Sequence, residues 1–563
     1  MTAQRAFHER ISRRVAAAQG KIPCDLILKG VQFLDVFSCE WRVGDVAAID
    51  GTIVALEPGL KATRVINGNG CWLVPGFIDA HVHVESSLVV PKNFQRAVLP
   101  RGTTTAICDP HELANVEGVS GLRYFLEEAE TLALDLRVML SSCVPATHLE
   151  TNGGGTISAA DLAPLSGHRK ALGLAEMMNV PGVLNSSPDV LDKLAAFEGK
   201  RIDGHCPLLS GRALSAYAAA GISSCHESSR LDEAREKLTR GIAVWIREGS
   251  VAKDLEALAP LLTLATSTSV GFCTDDRNPL DIATQGHIDY LIRRGIELGI
   301  SPEVAFRAAS WSVARHYGLN DRGAIAPGYR ADFVLLGDAR SCAIRTVFLG
   351  GVPVDEITLG TAKVSSPANS IRAHVPEEAD LLGPSGRVHV IGVRQGRILT
   401  DRHVLSHDTP GVARFSVLER YGRGSKPANG YVTGFGEKFS GAIAASVGHD
   451  SHNLTVIGSS PSDMRAALGA LIASGGGFCV VKDGVVLASL SLPFGGLMSL
   501  EEPAFVEKSL RTLHDASRSV GCELPEPFLQ LAFLSLPVIP SLKLTDKGLV
   551  DVDRFEIIDV RAS

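Results

Sequence analysis

The chain has 563 residues, of which 45% are hydrophobic, and a formal net charge of −7 at pH 7. That length exceeds what one core can organise and calls for several domains. The negative balance removes any general attraction to nucleic acid or to an anionic membrane. Eleven cysteines, an odd number scattered from Cys24 to Cys522, make no disulfide framework and fit a reducing cytoplasm; no apolar run is long enough to span a bilayer.

Residues 1–20 carry Arg5, Arg10, Arg13 and Arg14. Phe7, Ile11 and Val15 recur as one helix face, and Glu9 interrupts the segment, so a packed terminal helix is expected rather than a targeting peptide. From Asp25 to Leu73 the text reads as short strands, with Asp50-Gly51 as a hairpin turn. A second strand group, Ala331–Asp338 and Ile344–Val354, follows much later. Neither group can bury a face alone, so the two are expected to join into one split β-sandwich.

Between them, residues 75–324 alternate apolar strand-like runs with helical stretches at Val116–Leu134, Arg230–Thr239 and Asp281–Gly299. The span is close to that of one (β/α)8 barrel, about 250 residues. PGFIDAHVHVESS (Pro75–Ser87) places His81 and His83 two apart on a strand, on one side and roughly 6.5–7 Å apart. Four further runs end in Glu176, His205, His226 and Asp275. Strand ends converge on one face of a parallel barrel, so these six side chains form a candidate ligand set. All six are nitrogen or oxygen donors, which suits manganese, iron or zinc as divalent ions. Cys206, Cys225 and Cys273 beside them read as small core fillers.

A segment rich in Ser, Pro and Asn at 364–370 marks entry to a third, α+β domain, residues 369–563. It reads as a hairpin over Val388–Leu399, a helix over Ser462–Ala473 and a hairpin over Phe478–Leu492 turning at Asp483-Gly484. The cluster His449, Asp450, Ser451, His452, Asn453 has the composition of a hydrogen-bonded turn. Alternatively, it brings His449 and His452 to the barrel mouth, against a substrate or an extra metal.

The order HxH, Glu, His, His, Asp across a barrel flanked by a split β domain resembles the amidohydrolase superfamily, and within it the bacterial adenine deaminases. The likeness is carried by Pro75–Ser87, GTTTAICDPHELANVEGV (Gly102–Val119), GLAEMMNVPGV (Gly173–Val183), DGHCPLLSG (Asp203–Gly211), FCTDDRNPLD (Phe272–Asp281) with GHIDYLIRRGI (Gly286–Ile296), and GAIAASVGHDSHNLTVIGSS (Gly441–Ser460). It implies two metal ions per subunit, manganese or iron ahead of zinc, with a one-ion version open. His81, His83 and Asp275 would hold one ion and His205 and His226 the other, bridged by Glu176.

By the same likeness the substrate is free adenine, water attacks C6, and Asp275 moves the proton. His111 and Glu112 are further catalytic candidates; Glu85, Asp109, Asp276, His449 and His452 are substrate-binding candidates. Several of these could instead orient the ligating histidines. The zinc deaminases that act on nucleic-acid strands carry H-x-E with a later P-C-x-x-C; here Cys206-Pro207 runs in reverse, and no strand partner is expected. Homo-oligomers are common among such barrels. The competing readings are an amide or cyclic-amide hydrolase of the same superfamily and a non-catalytic barrel, the latter disfavoured by six intact donors.

Overall fold

The computed structural model describes residues 3–360, 370–424 and 426–562. The Ser/Pro/Asn-rich segment lies outside the described residues apart from Ser370. Eight parallel strands form the barrel: β1 (Phe77–Val82), β2 (Thr103–Cys108), β3 (Asp135–Leu140), β4 (Ala171–Met177), β5 (Arg201–Gly204), β6 (Ser224–Cys225), β7 (Ala243–Arg247) and β8 (Val270–Cys273). They pair in sequence order. The ring closes where Asp275 N–H donates to the His81 carbonyl at 3.0 Å and His83 N–H to the Asp275 carbonyl at 3.3 Å. Asp79 reinforces the seam by accepting from Thr274 Oγ1 at 2.5 Å and from Thr274 N–H at 3.1 Å.

Two helices expected as single stretches are each broken in two. Helix His111–Glu117 ends where Gly118 takes φ 64°, and Val119–Ala129 begins a new one. Pro279–Thr284 and Ile288–Glu297 are likewise separated at Gly286, φ 125°. Glycine alone tolerates such angles without strain, and a periodicity count passes over it.

Gly173 in β4 lies in register with Arg201 of β5, and a Cβ there would fall 1.9 Å from the Arg201 carbonyl oxygen. Backbone cannot yield as a side chain does, so Gly173→Ala is expected to destabilise the barrel by about 1–3 kcal/mol or more. A lowered midpoint in a thermal melt checks this; an unchanged one contradicts the packing.

The segments before and after the barrel share one eight-stranded mixed sheet. Its joint is the antiparallel pairing of Trp72–Pro75 with Phe333–Leu336, Leu73 opposite Leu335. Asp50 and Gly51, at φ 49° and 69°, turn the hairpin between Glu40–Ile49 and Thr52–Ala55, as the Asp-Gly pair predicts. The terminal segment is a helix, Ala3–Ala18. Its expected packed face is not packed: Phe7, Ile11 and Val15 are 51%, 41% and 50% exposed, and among its described side chains only Ala17 is buried. Arg13 holds the helix down through Asp50, Nε to Oδ2 3.0 Å.

The C-terminal module contains an eight-stranded sheet and a three-stranded one. The hairpin expected over Phe478–Leu492 is Gly477–Lys482 with Val485–Ser491; the one expected within Val388–Leu399 runs further, its first strand Arg387–Val393, its turn 394–399 and its return strand Thr400–Ser406 beyond the expected bounds. Helix Pro461–Ser474 begins at Ser460, whose hydroxyl accepts from Asp463 N–H, and stops at Gly475 with φ 74°. These are the cap and the stop that helix ends require. The module sits against the barrel's C-terminal face: Asn93 Nδ2 donates to the Glu501 carbonyl at 2.7 Å, and Asn453 Nδ2 to the Thr151 carbonyl at 2.8 Å.

Candidate metal centre and active site

The six candidate ligands meet at the C-terminal ends of β1, β4, β5, β6 and β8. His81 and His83, two apart at the end of β1, turn their Nε2 atoms to within 3.1 Å of each other. Those atoms stand 3.5 and 3.2 Å from Asp275 Oδ1, and 3.9 and 3.5 Å from Glu176 Oε1. The other oxygen of Glu176, Oε2, lies 2.7 Å from His205 Nδ1 and 3.4 Å from His226 Nε2. One carboxylate therefore stands between two histidine pairs, with one oxygen turned to each. All six side chains are buried.

Burial opposes charge on Glu176, but His205, His111 and His226 outweigh it and hold its carboxyl well below the ordinary range. Burial likewise opposes ionisation of Asp275, and His81, His83 and Arg247 reverse the balance. Both carboxylates are anionic at neutral pH. Asp275 also adopts φ 53°, a left-handed conformation that costs a non-glycine residue free energy and collects at functional sites.

The donor set fits divalent cations. Four imidazoles and two anionic carboxylates converge, and His205 Nε2 is buried without a hydrogen-bond partner among the described residues. His83 Nδ1 sits 2.9 Å from the Asp109 carbonyl oxygen, which can only accept. The proton is thereby assigned to Nδ1, and the Nε2 lone pair is left facing the cluster.

The remaining candidates divide. His111 and Asp276 line the cavity over the cluster. His111 Nδ1 lies between Asp109 Oδ2, 3.3 Å, and Glu176 Oε1, 3.2 Å. Asp276 Oδ1 accepts from Ser86 Oγ at 2.5 Å. Glu85, Asp109, Glu112 and His452 are buried but do not line the cavity. Glu85 accepts from Leu113 N–H at 3.1 Å and Asp109 from Ser141 Oγ at 2.6 Å, while Glu112 Oε1 lies 2.9 Å from the Ser86 Oγ whose one proton Asp276 also faces. His452 Nδ1 accepts from Gly448 N–H at 3.3 Å. The His449–Asn453 loop is more than a self-contained turn, since His449 and Asp450 reach the cavity.

Two models of known families match the chain: "Amidohydrolase family" over residues 72–354 and "Adenine deaminase C-terminal domain" over residues 393–556. An adenine deaminase of Methylobacterium nodulans is 50% identical, over 97% of this chain and 99% of its own length. One of Gluconobacter oxydans is 49% identical over 97% and 99%, and adenine deaminase 1 of Agrobacterium fabrum 47% over 99% of each. The chain belongs to the adenine deaminase family.

For an adenine deaminase family member the sequence reading missed two charged groups at the centre. Arg247, the last residue of β7, donates through Nη1 to Asp275 Oδ2 at 3.0 Å and to Glu227, and through Nε to Asp254 Oδ2 at 3.1 Å. Glu227 Oε1 in turn approaches His226 Nε2 and His205 Nδ1 at 3.8 and 3.9 Å. Both were signalled: Glu227 follows His226 directly, and Arg247 closes an apolar run in the position where other strands present their ligands. Ile398, Phe533, Leu536 and Ile539 also line the cavity, and no local pattern marks residues so distant in sequence.

Proposed function

We propose that the chain hydrolyses adenine to hypoxanthine and ammonia. The observation that supports this most directly is the division of Glu176 between two histidine pairs, with Asp275 reaching both the cluster and the cavity. Membership of a family whose full-length relatives bear the name adenine deaminase does not favour the amide-hydrolase alternative. His81, His83 and Asp275 would hold one ion and His205 and His226 a second, with a Glu176 oxygen available to each; manganese or iron is proposed ahead of zinc.

Divalent cations held there would supply a water ionised near neutral pH, its pKa brought down to about 7. The chain supplies the rest. Asp275 accepts a proton from the attacking water and hands it to the departing amine, one carboxylate serving both transfers because both atoms are bonded to C6. Arg247, anchored by Glu227 and Asp254, fixes Asp275 Oδ2. Apolar Phe533, Leu536 and Ile539 exclude bulk water and offer a flat base a face to lie against.

Among the described residues no helix is long and apolar enough to cross a membrane. We extend the proposal to a cytoplasmic homo-oligomer, with domain boundaries near residues 75, 325 and 369. Metal-loaded protein mixed with adenine is expected to release ammonia with the ultraviolet change of hypoxanthine formation, while N-acetyl sugars and hydantoins stay intact. Absence of adenine turnover, or preferential cleavage of an amide, overturns the proposal.

A further inference from the structure

Addition of water to C6 breaks the C6=N1 double bond and drives an electron pair onto N1, so a proton must be available there. The cavity wall offers few donors. His111 Nδ1 is held between Asp109 Oδ2 and Glu176 Oε1, beside the ligand cluster, and its Nε2 stands 3.8 Å from Asp450 Oδ1. Glu85 and Glu112 lie behind the wall and do not line the cavity; Glu85 Oε1 meets Leu113 N–H and Glu112 Oε1 meets Ser86 Oγ, while the Oε2 of each is buried without a partner among the described residues.

His449 combines an unpaired ring nitrogen with a place on the cavity wall. It stands on the loop between strands Ala442–Ala445 and Leu454–Gly458, buried, and lines the cavity from the C-terminal module. Its ring is stacked on Phe533, centroids 4.5 Å apart and planes 7° from parallel. Nδ1 faces Asp450 Oδ1 at 3.6 Å. Nε2 is buried with no hydrogen-bond partner among the described residues. Buried polar nitrogens rarely go unpaired, and a ring clamped on one face and tethered at one nitrogen has its other nitrogen left for a ligand.

We propose that His449 is the catalytic acid that protonates N1 of the base, with Asp450 as the carboxylate that positions it. This rests on the adenine reading above. As the water oxygen bonds to C6, the C6=N1 pair moves to N1, which takes the proton from Nε2 and leaves a neutral imidazole. The bond from C6 to the amine then breaks. Ammonia departs with the proton that Asp275 removed from the added oxygen, C6=O forms, and N1 keeps its hydrogen, giving the 6-oxo purine. The proton released when the water first ionises restores the imidazolium, so the cycle needs no further reactant.

The surroundings keep the donor charged. Burial opposes charge on the ring, but Asp450 on its own loop, Asp276 after β8 and Glu112 on helix His111–Glu117 outweigh it and push His449 up to about 9. His452, with ring centroids 5.6 Å away, faces it too and is held neutral by burial and by His449 itself. The acid form is thus present below about pH 9 and lost above it.

The test is His449→Gln in the metal-loaded full chain. kcat for adenine is expected to fall about a hundredfold or more, with KM nearly unchanged, metal per subunit as in the parent, and the basic limb of the kcat–pH profile gone. Asp450→Asn should move that limb to lower pH. A His449→Gln enzyme within about tenfold of the parent kcat, or one whose basic limb persists, overturns the assignment. So does a variant that loses metal and regains activity with excess metal, since that makes His449 a ligand. If the glutamine variant does not fold, an unmoved basic limb in Asp450→Asn overturns it. A parent inert toward adenine fails the substrate reading instead, whereas an active parent with an unaffected variant fails this inference alone.

Discussion

Asp275→Asn is expected to lower kcat for adenine by about three orders of magnitude or more while the protein stays folded. The carboxylate has two neighbourhoods. Oδ1 stands 3.5 and 3.2 Å from His81 and His83 Nε2, and Oδ2 stands 3.0 Å from Arg247 Nη1. An amide preserves the shape, and asparagine tolerates the left-handed φ of 53° better than most side chains. It carries no charge for a cation, however, and it cannot accept the water's proton. Proton transfer by a positioned group contributes typically about 10²–10⁴-fold, and weaker ion binding adds to the loss. Arg247 keeps Glu227 and Asp254 as partners, so no charge is stranded and the fold should survive. The measurements are kcat with adenine, metal content and a thermal melt. Activity within tenfold of the parent would show that another group moves the proton.

What the sequence made legible follows a physical pattern. Each of the six clustered side chains terminates an apolar strand run, and parallel barrel topology converts such ends into neighbours. His81 and His83 were visible from spacing alone, and Glu176, His205, His226 and Asp275 from their places after short apolar runs. Arg247 ends a run in the same way, but it contacts carboxylates and so lies outside a search for metal donors. The helix breaks at Gly118 and Gly286 escaped a count of apolar positions because each depends on one residue's backbone angle. The Phe7, Ile11 and Val15 stripe has helical spacing and forms a helix, yet spacing does not say whether anything covers that face. The cavity roof was least legible of all. Ile398 and Phe533 reach the barrel mouth only through packing between modules, which leaves no short-range signature, and the polar cluster around His449 was compatible with either a closed turn or a place at that mouth.

Stripping the metal with a chelator is expected to abolish adenine turnover, and adding manganese or iron to restore it. Glu176→Gln is expected to prevent that restoration. With one oxygen facing His81 and His83 and the other facing His205 and His226, Glu176 lends negative charge to both halves of the cluster. Glutamine keeps one acceptor oxygen and turns an NH2 toward the other half, where its hydrogens oppose a cation. Metal content should therefore fall by about one ion per subunit or more, since even outer partners of metal ligands contribute about 10–100-fold in affinity. Stability should report the same loss. An ion that binds only the folded chain stabilises it by about 4 kcal/mol when its free concentration is about 1,000 times its dissociation constant. A thermal melt should accordingly show a lower midpoint for stripped than for loaded parent protein, and a smaller difference for Glu176→Gln. Without metal, four histidines and two carboxylates remain buried and crowded together, an arrangement whose desolvation cost an ion would offset. Chelator-treated parent protein that turns over adenine as fast as the loaded form would refute the metal assignment, and Asp275 and His449 would then have to act on an unassisted water.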